Sequence, residues 1–214
     1  MNPRNFALFA LLCTLLASTT YAKEKASTRV KNQDEDVRNK DESWYFNIGL
    51  NFFVPSYGSD VDAALNQIKS NGGTTRVSLG LDIAFYWPLA DRQTILGPSL
   101  IGESDTYSIN GYTLSLTQAM LAFSAQHYFG ENVGDGFFVR GDVGPANFGV
   151  KAEYPSGATL VNAQSATGIG FQAGGGYSFL LSNETRLGVG AYFAHYAAGG
   201  DVANNFLVSG NFLF

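Results

Sequence analysis

Few residues in this 214-residue sequence could carry chemistry, and their types limit what that chemistry could be. There are two histidines, His127 and His195. A histidine activates a nucleophile when a serine lies within hydrogen-bond reach and an acid orients the ring. In "RLGVGAYFAHY" the same-face neighbours of His195 are Phe193 and Ala197, with no serine beside it, and His127 falls near the opposite rim. A second group is ionic: Arg76, Asp82, Glu103, Arg140 and Asp142, all within strand-like runs or at their ends. Their expected pairing is Arg140 with Asp82 or Asp142, and Arg76 with Glu103. Such pairing reads as a structural network, or more sharply as a proton or ion path. Acids at Asp60, Asp62, Glu103 and Asp105 could bridge a divalent cation, but scattered surface acids need no metal, and no metal site is expected. "GIGFQAGGG" comes close to G-x-G-x-x-G but opens no helix, so its glycines suit close packing and not a phosphate cradle, and no cofactor is expected.

The composition sets the frame that holds these residues. Charged residues make up 14%, aromatics another 14%, and there are 25 glycines. A mean hydropathy of −0.01 fits neither a helical membrane protein nor a disordered chain. The net charge of −5, without a basic stripe, argues against nucleic acid as a partner.

Residues 1–22 read as a secretory signal, with Arg4, the apolar core "FALFALLCTLLA" and small residues before Ala22. Cys13, the sole cysteine, lies inside that core and follows Leu12, where a lipoprotein site would need a small residue. Residues 23–43 hold six basic and six acidic residues and little to bury, which predicts a disordered charged tail. From Trp44 onward the pattern has period two. "WYFNIGLNFFV", "RVSLGLDIAFYW", "FFVRGDVG", "TGIGFQAGGGYSFLL", "RLGVGAYFAHY" and "NNFLVSGNFLF" each place bulky apolar residues on one face. "TILGPSLIGES" needs a bulge or break at Pro98, and "YTLSLTQAMLAFSAQHYF" slips phase near Gln118–Met120, where a bulge is expected. Eight strands result. Short turns fall at "PLADRQ", "GENVGDG" and "SNET", with "AAGGD" short as well. Residues 55–75, 103–112 and 149–165 form longer links, with one or two helical turns in "DVDAALNQIKSN".

Alternation alone does not say which face meets solvent. Asp82, Arg140 and Asp142 share a face with many glycines, and the bulky face of the clean strands carries no charge. An eight-stranded barrel has a lumen just wide enough to be filled by side chains. Small and polar residues are therefore expected inside and the bulky face against lipid, where a midplane charge would cost about 2–4 kcal/mol. Trp44, Trp87, Phe129, Phe137, Phe179 and Phe214 gather near the short turns, as in an interfacial aromatic girdle. Phe53, Tyr107, Tyr112, Phe148 and Tyr196 are expected near the outer end, as a second girdle or an apolar mouth.

The last nine residues, apolar at alternate positions with a final Phe, resemble the C-terminal signal of bacterial outer-membrane proteins. Together with the leader and eight strand-like runs, they give a chain that resembles the small outer-membrane β-barrels of the OmpA, OmpX and OmpW type. The resemblance implies an all-β, up-and-down transmembrane barrel with its termini in the periplasm and its long links outside. It implies outer-membrane lipid and lipopolysaccharide as surroundings, the outer-membrane assembly machinery as reader of the last strand, and a monomer. The expected function is non-enzymatic: a structural or surface-interaction barrel without a wide pore. The alternatives are a narrow OmpW-like path for small apolar molecules, a lipid A-modifying enzyme, or a soluble secreted barrel with the bulky face inside.

Overall fold

The computed structural model describes residues 44–182 and 185–214, apart from the side chains of residues 76 and 77. The leader, the charged tail and the Arg76 side chain therefore lie outside the described residues. Nine strands and one helix follow in order: β1 (Tyr45–Tyr57), α1 (Ser59–Ser70), β2 (Thr74–Pro88), β3 (Thr94–Ile109), β4 (Tyr112–Tyr128), β5 (Gly136–Glu153), β6 (Thr159–Gln164), β7 (Gly168–Leu180), β8 (Arg186–Ala198) and β9 (Asp201–Leu213). All pairings are antiparallel. The order β4-β3-β2-β1-β9-β8-β7-β5, with β5 paired back to β4, closes an eight-stranded barrel. β6 is extra: it pairs with the C-terminal end of β5, beyond the point where β7 leaves it.

The alternation has the expected sense. Ile48, Leu81, Phe171 and Val208 are 37–44% exposed, whereas Arg140 is 3% exposed in the interior. Exposed Leu, Ile, Val and Phe on every barrel strand except β8 form a belt that could not face water without aggregating. It suits acyl chains, and closure leaves no sheet edge unsatisfied in lipid.

Two links are shorter than the sequence pattern suggests. β3 and β4 run on to Ile109 and Tyr112, joined by Asn110–Gly111 alone, both at positive φ (51° and 83°) as a tight hairpin needs. The acids of residues 103–112 face inward, so a stretch that looks like a polar loop is strand. Likewise β5 and β6 occupy most of 149–165.

The bulge expected in β4 is absent: its register to β3 is unbroken from His127 to Tyr112, and β5 shows no shift either. The apolar residues do change face. Leu116 and Met120 point inward while Leu121 and Phe123 point outward. Leu116 packs on α1, and Met120 belongs to the main cluster of the lumen. At Pro98 the ladder to β2 breaks locally between Ala84–Ser99 and Trp87–Leu96 without changing register. Gly97 permits this, because a Cβ there would lie 1.8 Å from the Phe85 carbonyl oxygen. Gly144–Pro145 in β5 repeats the device opposite Leu121.

α1 spans 12 residues, about three turns, and so exceeds the one or two turns expected. Asp60 and Asp62 in the first turn and Lys69 in the last oppose the helix dipole favourably. Gly72, at φ +84°, ends it. Val61, Leu65 and Ile68, spaced along one face, pack with Tyr107, Leu114, Leu116 and Tyr57. Those strand residues lie at the end of the barrel away from Trp44 and Phe214, and α1 packs against their inward side chains.

Candidate functional site: the barrel interior

The lumen is filled by side chains, but not mainly by small ones. Tyr86, Tyr128, Tyr192, Tyr196, Phe53 and Phe138 all point inward and are buried. The expectation that bulky groups would overfill it is corrected, and glycine explains why. A Cβ at Gly174 would lie 2.5 Å from the Tyr192 ring, and one at Gly170 would lie 3.1 Å from the Tyr196 ring. Large rings from one part of the wall occupy the space that glycines on β7 leave open.

The ionic residues form two tiers. In the lower tier, Arg140 Nη1 donates to Asp82 Oδ2, while Nη2 reaches Asp82 Oδ1 at 3.0 Å and Asp142 Oδ1 at 2.8 Å. Arg140 Nε donates to Asp142 at 3.1 Å and to Ser124 Oγ at 3.2 Å. Ser99 donates to Asp142 at 3.2 Å, and Tyr86 and Ser124 share a hydrogen bond of 2.9 Å. One guanidinium thus joins strands β2, β4 and β5 across the barrel, with all three ionic side chains buried.

The upper tier contains no guanidinium among its described hydrogen bonds. Tyr196 Oη donates to Glu103 Oε1 at 3.0 Å, and Asn205 Nδ2 donates to Glu103 Oε2. The same Nδ2 reaches Gln118 Oε1 at 2.6 Å. Gln118 Nε2 donates to Tyr57 Oη at 3.1 Å, and Tyr57, Tyr107 and Ser78 (2.7 Å) all donate to Asp105. The described partners of Glu103 are tyrosine and amide groups, and its expected pairing with Arg76 involves a side chain outside the described residues. Glu103 and Asp105 are 1% and 0% exposed, so neither can bridge a metal to lipid phosphates outside. Gln118, Asn205, Tyr57 and Tyr196 had no signal beyond inward parity; only the strand order shows that they meet.

The aromatics divide by face. Trp44, Trp87, Phe129, Phe137, Phe179 and Phe214 are all exposed. Phe85 links Trp44 and Trp87, Tyr177 links Phe137 and Phe179, and His127 meets Phe129 edge-on at 5.0 Å. Of the outer set, Phe53, Tyr107 and Tyr196 are buried in the lumen, not arranged in a second girdle. Tyr112 is exposed and pairs with Tyr154 at 5.8 Å.

Neither histidine meets a serine in the hydrogen bonds described. His195 Nδ1 donates to Asn204 Oδ1 at 2.8 Å, and its ring lies 5.2 Å from Phe171. His127 Nδ1 shares a 2.9 Å hydrogen bond with Thr94 Oγ1, which donates to Asp91 at 2.5 Å. That hydroxyl, with the Thr94 and Gln93 backbone N–H groups, holds the Asp91 carboxyl below the usual carboxylate range. Among the described residues no cluster of three His, Cys, Asp or Glu side chains has metal-ligand geometry.

No protein-family model matches this chain, and no curated protein matches it by sequence. Solved structures match it by shape. The attachment invasion locus protein Ail of Yersinia pestis, crystallised with a heparin analogue, superposes with a TM-score of 0.53 at 8% identity, over 80% of this chain and 99% of that one. Neisserial surface protein A gives 0.54 at 11% identity, over 80% of this chain and 96% of that one. At such identities the likeness is one of fold. Closed antiparallel topology, an apolar outer face and these shape relatives together identify the chain as a small eight-stranded transmembrane β-barrel of the outer-membrane type.

Proposed function

We propose that this chain is a non-enzymatic, integral protein of a bacterial outer membrane, with a structural interior and an outward-facing interaction surface. Residues 1–22 are the export signal, residues 23–43 a periplasmic tail, and residues 44–214 the barrel, inserted as a monomer by the assembly machinery that reads its last strand. The girdle of Trp44, Trp87, Phe129, Phe137, Phe179 and Phe214 lies at the periplasmic interface, and lipid with lipopolysaccharide surrounds the wall. The single observation that carries a closed, structural interior is the Arg140 tier, where one cation ties two acids on facing wall strands. α1 stoppers the lumen above it.

The test is conductance of refolded protein in a planar lipid bilayer. The native barrel is expected to show no large, steady open level. Replacing α1 by a short flexible loop is expected to leave it closed, because the Arg140 tier still spans the lumen. A stable wide conductance in the native barrel would overturn this reading.

The lipid-modifying alternative predicts that His195 is required. Among the described residues the partners of His195 are Asn204 and Phe171, and neither is a nucleophile. Replacing it with alanine is expected to leave the lipid A composition of expressing cells unchanged, as read by mass spectrometry.

A further inference from the structure

We propose that the free edge of β6 pairs, antiparallel, with the same edge of a second copy of this chain held in an apposed membrane. This names the partner of the interaction surface proposed above and rests on that reading. Among the described residues β6 (Thr159–Gln164) has a ladder on one side only, to β5, and all six of its residues are exposed. The Ser165 N–H donates to the Phe148 carbonyl at 2.9 Å. Pair types alternate along an antiparallel ladder, so Ala163 and Val161 also turn their backbone groups to β5. Asn162 and Gln164 therefore turn their N–H and C=O groups to the open edge. Such an edge is usually guarded by a charge or a proline. β6 has neither, and the one irregularity in its register, between Ala152 and Glu153, lies at its start.

The edge is its own complement. Asn162 and Gln164 share one face of β6, and a carboxamide both donates and accepts. In a two-fold pair centred on Ala163, Asn162 of one copy stands opposite Gln164 of the other, and their outward backbone groups form the ladder. No like charges oppose this pairing. Lys151, the neighbour of Asn162 on β5, is itself paired with Glu153 at 2.7 Å. The membrane decides where the second copy stands. Two barrels in one membrane are related by rotation about its normal, so their β6 strands would cross at about twice the 35–45° strand tilt and form no ladder. A two-fold axis in the membrane plane makes the strands antiparallel, and it brings the barrel ends away from Trp44 and Phe214 face to face. β6 stands clear for this contact, because β5 runs on from Ala146, its last pair with β7, to Glu153. A six-residue edge is far smaller than a stable interface, so the contact acts through many copies at once.

The experiment reconstitutes the protein in phosphatidylcholine vesicles and follows their clustering by light scattering. Flotation with the vesicles and faster gel mobility before heating identify inserted, folded protein; their failure overturns the membrane reading together with the pairing that rests on it. Native vesicles are expected to cluster, with mean particle size rising several-fold as protein density increases. Asn162→Pro removes a donor from the open edge without touching the ladder to β5, and should leave the vesicles dispersed. Asn162→Lys combined with Gln164→Lys sets like charges face to face and should do the same. Inserted, folded native protein that leaves its vesicles dispersed overturns the pairing alone. Native-level clustering by either folded variant assigns the contact to another surface and overturns it equally.

Discussion

Arg140→Met is expected to destabilise the barrel by about 3–5 kcal/mol, the usual cost of removing one partner from a buried ionic cluster. Methionine fills much of the same space, so the loss is not mainly a cavity. The cost arises because Asp82 and Asp142 stay behind, buried and now unpaired. Their remaining donors are few: Asn47 reaches Asp82 at 3.4 Å, while Ser99 and Gln172 reach Asp142 at 3.2 and 3.4 Å. Neutral donors at these distances do not replace a guanidinium. Adding Asp82→Asn and Asp142→Asn to Arg140→Met should recover most of the loss, because no charge then remains to desolvate. Urea unfolding in micelles, followed by gel mobility and tryptophan emission from Trp44 and Trp87, reads both changes. If the single variant loses less than about 1 kcal/mol, as an exposed ion pair would, the tier is not holding the wall together.

How far this interior could be read from the sequence depended on parity. Period two placed Asp82, Arg140 and Asp142 on the inner face, because a mid-strand charge beside glycines has nowhere else to go in a lipid-facing barrel. Parity does not say which strands lie across from each other, so Asn205 on β9 and Glu103 on β3 could not be matched, although they meet in the lumen. Polarity misled in a different way. Residues 103–109 looked like a loop because acids and serines are rare in strands, but a filled lumen accepts them as long as hydroxyl donors stand nearby. The Asn110–Gly111 pair was the stronger signal, since few other dipeptides suit two successive positive φ values. The phase slip in β4 followed the same logic. A reversal of apolar face usually needs an extra residue, but α1 covers the inner face of Leu116 and removes the need. The glycines were legible as close packing, but not as the complement of Tyr192 and Tyr196.

Leu121→Arg is expected to destabilise the barrel by about 2–4 kcal/mol in a lipid bilayer. Leu121 is 61% exposed and pairs with Leu100, which in turn pairs with Ile83, far from both rims. In water this substitution on an exposed strand position would be nearly neutral, within about 0.5 kcal/mol. In acyl chains the guanidinium must lose its hydration or pull water and headgroups toward the midplane, and the cost depends on depth. The same change at Leu160 on β6, also about half exposed at 49%, provides the control. β6 lies on the C-terminal extension of β5, beyond the last β5–β7 pair at Ala146–Gly168, so arginine there meets water and should cost almost nothing. Equilibrium unfolding in lipid vesicles measures the difference between the two sites. A large gap follows only if the apolar face of the wall meets hydrocarbon, and equal, small effects at Leu121 and Leu160 would place that face in water and remove the reason for a charged interior.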